Sequence, residues 1–171
     1  MFEPIPDQIV FTNKARYRDC YRCVRVCPVK AIALHAGQAH VVADRCIACG
    51  TCIRECPQQA KAYRNDLDRA KALIASNRKI GVSIAPSFAA IFPEWQRRRL
   101  PSALRRLGFA YVGETALGAY QVAEESRLRI EAAPERSFIL TACPAVVNYV
   151  ERYQTGLLPL LMPVLSPMLA H

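Results

Sequence analysis

Twelve consecutive residues constrain this chain more than anything else in it: Cys46-Ile47-Ala48-Cys49-Gly50-Thr51-Cys52-Ile53-Arg54-Glu55-Cys56-Pro57 reads C-x2-C-x2-C-x3-C-P without a gap. Three thiolates at two-residue intervals on a curling loop each reach a different iron of a 4Fe-4S cube, whereas the fourth cysteine, followed by proline, is directed away and ligates another cluster. A partner run is therefore required. Cys20-Tyr21-Arg22-Cys23-Val24-Arg25-Val26-Cys27-Pro28 supplies it, except that Tyr17 stands where the first cysteine would fall.

Exchanging the fourth cysteines between the runs gives Cys46, Cys49, Cys52 and Cys27 for a complete [4Fe-4S] site, and Cys20, Cys23 and Cys56 for a three-cysteine site. The second admits a [4Fe-4S] cube with one iron on water or Tyr17, a [3Fe-4S] cluster, or nothing stable; an occupied but labile cluster is expected. C-x2-C pairs are also zinc signatures, which leaves a zinc-stapled interaction module as an alternative. A disulfide framework conflicts with the reduced thiols that clusters need, and no secretory signal precedes the runs.

The two runs repeat at an offset of 29 residues, from Cys20 to Cys49. Residues 1 to about 12 read as an arm, with Pro4 and Pro6 opposing early helix and Ile9-Val10-Phe11 as a strand. Ala33-Leu34-His35 and Gln38-Ala39-His40-Val41-Val42 form a hairpin across Ala36-Gly37, and Ala62-Tyr63 is the matching strand of the second copy. This is the pseudo-twofold plan of a two-cluster bacterial ferredoxin. A core of this size is marginal, so the clusters are expected to act as folding staples whose loss unfolds the domain.

From Asn65 the pattern changes to helices alternating with strands. Asn65 caps a helix through Leu67, Ala70, Leu73 and Ile74; Ile80 to Pro86 is a buried strand; Ser87 to Trp95 is a loop or short helix; Pro101 to Gly108 is a helix; Phe109 to Val112 is a strand; Thr115 caps a helix of about 15 residues; and Phe138 to Leu140 is a third strand. Such alternation implies a parallel sheet with ligands at the carboxyl ends of its strands. The fold expectation is thus an α+β ferredoxin-like two-cluster domain over 1–65, followed by an α/β partial domain over 66–171. Cys143 leaves the third strand at the start of a helix begun by Pro144, where a thiolate is favoured as metal ligand or nucleophile; a lone cysteine is equally a small apolar residue.

Charge adds less. The formal net charge is +9, with Arg16, Arg18, Arg22, Arg25, Arg45 and Arg54 beside the cysteines, where cations stabilise an anionic cluster or form a solvated face. Nucleic-acid binding is not expected, because no aromatics interleave with the basic residues. The apolar stretch from Leu157 to Ala170 is too short and too proline-rich for a membrane span, so the protein is expected to be cytoplasmic. His35, His40 and His171 have no ligand spacing and read as surface histidines.

The order of a two-cluster segment, Val82-Ser83-Ile84-Ala85-Pro86, Gly113-Glu114-Thr115-Ala116-Leu117-Gly118-Ala119, Thr141-Ala142-Cys143-Pro144-Ala145 and Leu165-Ser166-Pro167-Met168 resembles the iron-iron (FeFe) hydrogenases over nearly the whole chain. In that family a T-S-C-C-P segment supplies the first cysteine ligand of the active-site H-cluster, and the resemblance implies that role for Cys143. Ala142 stands where fast hydrogenases carry a proton-relaying cysteine, which resembles the sensory type. The family's other three H-cluster cysteines have no counterpart, since no cysteine follows Cys143. The resemblance therefore implies an amino-terminal portion, truncated within the apolar ending, that holds no H-cluster and turns over no hydrogen alone. The expected function is electron relay to a hydrogenase-like centre, with a redox partner protein or the remaining lobe as partner. A free-standing ferredoxin-type carrier whose α/β part docks a partner is the alternative.

Overall fold

The computed structural model describes residues 8–76 and 78–171, so most of the arm expected ahead of residue 12, including Pro4 and Pro6, lies outside the described residues. The chain divides into two compact units, 1–65 with 144–158 and 66–143 with 159–171. Residues 144–158 thus group with the amino-terminal unit, an assignment that a single cut at residue 65 does not contain.

In the first unit the repeat is a repeat of structure. β1 (Val10–Thr12), α1 (Arg22–Val26) and β2 (Ile32–His35) are echoed by β3 (Gln38–Val41), α2 (Thr51–Arg54) and β4 (Lys61–Tyr63). A 3-10 turn enters each cysteine run, Lys14–Arg16 in the first copy and Ala43–Arg45 in the second. β1 pairs antiparallel with β4, Val10 opposite Tyr63, and β2 with β3, Ile32 opposite Val41. Each copy's first strand therefore closes on the other copy's last, and neither copy is complete alone. Val10, Ala31, Ala39 and Ala60, each 1% exposed, pack with Tyr17, Cys23, Cys27, Ile32 and Val41 as the core. Small side chains dominate it because the cysteine loops occupy the middle of the unit.

The second unit contains α3 (Leu67–Ala75), β5 (Gly81–Ile84), α4 (Phe88–Ile91), α5 (Glu94–Arg106), β6 (Tyr111–Glu114) and α6 (Thr115–Ala132); after α7 (Pro144–Tyr153), α8 (Pro167–Ala170) returns to it. β5 and β6 pair in parallel, Gly81 opposite Tyr111 and Ile84 opposite Glu114. The expected third strand does not join them. Ile139 instead makes one parallel bridge to Leu161, donating to the Leu160 carbonyl at 2.7 Å and accepting from Met162 N–H at 2.8 Å. A short extended segment after Pro159 takes the hydrogen bonds that a neighbouring strand would have used.

Three further expectations change. β5 is half-buried and exposed in alternation rather than buried. α5 begins at Glu94, not near Pro101, because Pro93 in extended backbone starts it; Pro101 lies inside the helix, where its ring removes one backbone donor. Thr115 starts α6 without capping it, its hydroxyl lying 2.6 Å from Ser83 Oγ instead.

α8 crosses α6 at Gly118, which is buried; a Cβ there would run into the backbone carbonyl oxygen of Pro167. The second unit also leaves many large apolar side chains exposed, among them Leu107, Leu117, Tyr120, Leu165, Met168 and Leu169. Among the described residues no helix is long and apolar enough to cross a membrane.

Gly118→Ala is expected to destabilise the second unit by about 1–3 kcal/mol, since a backbone oxygen cannot step aside as a side chain can. Gly156→Ala, with nothing within 4 Å of the new methyl, is the control and should be close to neutral. Chemical denaturation of the two variants beside the parent measures the difference.

Candidate iron-sulfur site

The cysteines are held by loops whose backbone follows from residues with positive φ. Tyr21 (φ 50°) and Gly50 (φ 74°) occupy equivalent places at the start of α1 and α2, and Lys30 and Gln59 (each φ 52°) follow Cys27-Pro28 and Cys56-Pro57. Each left-handed residue turns the chain so that amide N–H groups point toward sulfur rather than away. Ala31 N–H donates to Cys27 Sγ and Ala60 N–H to Cys56 Sγ, both at 3.2 Å, while Ala48 N–H reaches Cys46 Sγ at 3.4 Å. Cys49 Sγ lies 3.4 Å from Thr51 Oγ1. Donors aimed at sulfur favour the charged thiolate, which is the form a metal requires.

Cys27, Cys46, Cys49 and Cys52 line one pocket together with Val10, Ile32, Val41, Ile47 and Gly50. These are the four cysteines that exchange of the fourth ligands brings together. The donor set, four soft sulfurs on apolar walls with N–H groups behind them, fits an iron-sulfur cube. Among the described residues no three His, Cys, Asp or Glu side chains close on a single ion.

Cys23 is buried, with Cys20 and Cys56 as electrostatic neighbours; burial pushes its thiol up, and the charges of Cys56 and Cys20 add to that. Burial likewise pushes Cys46 up, and Cys52 up to about 11. Cys56 is the exception. Burial opposes its ionisation, but the N–H groups of Lys61, Ala60 and Gln58 outweigh it and hold the thiol below its ordinary value. Thiols this reluctant to ionise are stable as ligands only when a metal replaces the proton. All eight cysteines are free, and Cys143 is exposed in the second unit.

Tyr17, in the place of the missing cysteine, is 8% exposed, and its buried hydroxyl has no hydrogen-bond partner. Burial, then the neighbouring Tyr21, Asp19 and Cys23, raises its pKa. The phenol is therefore kept neutral as the site stands.

The arginines take individual roles that a basic stripe does not suggest. Arg22 pairs with Glu55 at 2.6 Å, joining the two cysteine runs, and Arg25 donates to the Cys20 carbonyl at 3.1 Å. The strongest tie comes from Arg152 on α7, whose Nη1 donates to the carbonyls of Ala43, Asp44 and Cys46 at 3.1, 3.0 and 2.8 Å; next to it Tyr153 donates to the Arg45 carbonyl at 2.7 Å. These two residues grip the turn that delivers Cys46, from about 100 residues further along, and no sequence spacing announces it.

Lys61 was also missed. It is 3% exposed, and its ammonium donates to the Ala39 carbonyl at 3.0 Å and to Thr12 Oγ1. One signal was present: in the repeat, Lys61 takes the position of Ile32, so a lysine sits where the sister copy is apolar.

In the second unit three of the segments that suggested a hydrogenase, those containing Ala119, Thr141 and Pro167, come together around one cavity, which Val82 to Pro86 does not line. Ala119, Leu140, Thr141, Ala142, Val164 and Pro167 line this cavity of about 490 Å³, although Cys143 itself is not part of its lining.

Residues 78–171 match the family model described as iron only hydrogenase large subunit, C-terminal domain, and residues 11–57 match that of a 4Fe-4S dicluster domain. The electron transport protein HydN of Escherichia coli (strain K12) is 47% identical over 38 residues, 22% of this chain and 22% of that protein. NADH-quinone oxidoreductase subunit I 2 of Geobacter metallireducens is 35% identical over 68 residues, 34% of this chain and 52% of its own length. The matches thus span about a fifth and about a half of these relatives.

Arg152→Ala should release α7 from the Cys46 turn at a cost of about 1.5–3 kcal/mol, the range for hydrogen bonds to a charged group. Hydrogen exchange is expected to quicken at Ala43 to Cys46 and along α7 together, and to stay unchanged in β2 and β3.

Proposed function

Since the chain belongs to the iron only hydrogenase large subunit, C-terminal domain family, with a 4Fe-4S dicluster domain ahead of the matched part, we propose that it relays electrons through two clusters to a hydrogenase-like centre. The observation that carries this reading is the single pocket lined by Cys27, Cys46, Cys49 and Cys52. In the proposal these four hold a complete [4Fe-4S] cluster, and Cys20, Cys23 and Cys56 hold a second whose remaining iron faces Tyr17 or water. Each cluster supplies one-electron storage at a potential set by thiolate number, N–H donors and burial.

The protein's own residues do the rest. Cys27 and Cys56 cross between the runs, so both sites depend on both copies of the repeat. Arg22 with Glu55, and Arg152 with the Cys46 turn, fix the loops that carry the ligands. Apolar walls flank the complete site on the side of Cys27, which is buried, while Cys49 is exposed and gives the site an edge open to solvent and to a redox partner.

The second unit supports a partnered role. Its exposed apolar side chains fit a surface that is covered in the working assembly, by a redox partner protein or by the remaining hydrogenase-like lobe. Cys143 is proposed as a ligand of the centre formed there. Ala142, where fast hydrogenases carry a proton-relaying cysteine, supports a sensory or redox-reporting role rather than rapid hydrogen turnover. The proposed compartment is the cytoplasm, where thiols stay reduced.

Anaerobically purified protein is expected to contain about eight irons and matching acid-labile sulfide per chain, or about seven if the Tyr17 side holds a [3Fe-4S] cluster. Its dithionite-reduced EPR spectrum should show two interacting centres in the first case. Cys49→Ser should lose the complete cluster and destabilise the first unit, while Cys143→Ser should keep all iron of that unit. Zinc in place of iron, or full iron retention in Cys49→Ser, would overturn the assignment.

A further inference from the structure

The two copies of the cysteine repeat agree in backbone but not in charge. Cys27-Pro28-Val29-Lys30-Ala31-Ile32 and Cys56-Pro57-Gln58-Gln59-Ala60-Lys61 align residue for residue. Lys30 and Gln59 share φ 52°, Ala31 and Ala60 are each 1% exposed, and each alanine donates to the preceding cysteine at 3.2 Å. At the next position Ile32 is 7% exposed and Lys61 is 3% exposed. One copy thus buries an alkyl group where the other buries a cation.

A buried ammonium is costly unless an anion or several oxygens compensate it. Lys61 has the Ala39 carbonyl at 3.0 Å and the Thr12 hydroxyl, which itself donates to the same carbonyl at 2.6 Å. These neutral oxygens fix Nζ between β1 and β3. Among the described residues no carboxylate pairs with it, and it is the one buried cation. The groups whose charges act on it are cysteines: Cys23, Cys52, Cys56 and Cys27. Two of these belong to the three-cysteine set and two to the four-cysteine set. Burial holds the ammonium's pKa below its ordinary value, and the charges of these four cysteines offset only part of that.

We propose that Lys61 is a counter-charge shared by both clusters, a positioned ammonium that stabilises their reduced states and raises both reduction potentials. The proposal rests on the cluster reading above. Reduction brings one electron to a cluster from an external one-electron donor, with no bond made and no proton taken up, so the site gains one negative charge. A fixed positive charge in a low-dielectric interior favours that state, and solvent screens it far less than the exposed arginines. Arg22 is already paired with Glu55, and the Arg54 side chain is 73% exposed. Lys61 alone among the described cations combines burial with access to both ligand sets.

Three substitutions separate charge from packing. Lys61→Gln keeps a donor for the Ala39 carbonyl but removes the charge, Lys61→Ile installs the residue of the sister copy, and Lys61→Arg keeps the charge. Iron and sulfide are counted first in the full parent chain, purified anaerobically; a parent without clusters refutes the underlying reading before Lys61 enters. With clusters present, EPR-monitored potentiometric titration is expected to show both midpoints shifted negative in Lys61→Gln. The reduction equilibrium should shift at least tenfold, which is about 59 mV for a one-electron couple. Lys61→Arg should stay near the parent, and Arg54→Gln should move far less than Lys61→Gln. Unchanged midpoints in iron-replete Lys61→Gln, a shift at one cluster only, or an equal shift in Arg54→Gln would each overturn the proposal. If Lys61→Gln and Lys61→Ile both fail to retain iron, Lys61→Arg decides: retention there supports the charge role, and loss in all three overturns it in favour of a steric one.

Discussion

The first unit depends on exchange between its two copies, and the proposed ligation gives that exchange a reason: a loop of closely spaced cysteines cannot supply all four corners of a cube and would borrow one from its copy. Cys27 comes to the pocket of Cys46, Cys49 and Cys52 from the other run, and the strand pairing follows the same exchange. β1 closes on β4 and β3 on β2, so the backbone exchanges partners between the copies as the proposed ligands do. Among the described residues the apolar core has nine buried members, small for a free-standing domain, and the proposed metal ligation would supply the missing stability.

Within that symmetry the departures carry the chemistry. Tyr17 replaces Cys46's counterpart and leaves a buried hydroxyl with no partner beside the three-cysteine set. Tyr21 takes a left-handed conformation that Gly50 takes at no steric cost in the second copy. Lys61 replaces an isoleucine. A symmetric fold carrying asymmetric side chains gives its two cysteine runs different surroundings, one with a buried phenol and the other with a buried ammonium.

The second unit follows a different logic. Its parallel pair β5–β6 and the α6–α8 crossing at Gly118 order the segments around a cavity lined by Thr141 and Ala142. Its helices α3, α4 and α5 bury no residue fully. A unit with its apolar side chains so exposed gains stability from further protein laid against it, and the family to which residues 78–171 belong is named for a large subunit.

The sequence alone determined whatever is local in spacing: both cysteine runs and their repeat, the Ala36-Gly37 hairpin, and the helix begun by Pro144. Short-range sterics and ligand geometry decide these, and a few adjacent residues encode them. It misplaced what depends on competition between distant segments. Phe138 to Leu140 has the composition of a strand, yet its hydrogen bonds go to the segment around Leu161, and α5 runs through Pro101 because Pro93 already starts it. Only the tertiary structure put α7 on the Cys46 turn through Arg152, since a guanidinium that reaches three carbonyls leaves no periodic trace in the chain. It likewise decided that Lys61 is buried: the repeat shows a lysine opposite an isoleucine, but only the packing of β1 and β3 around it keeps that charge from water.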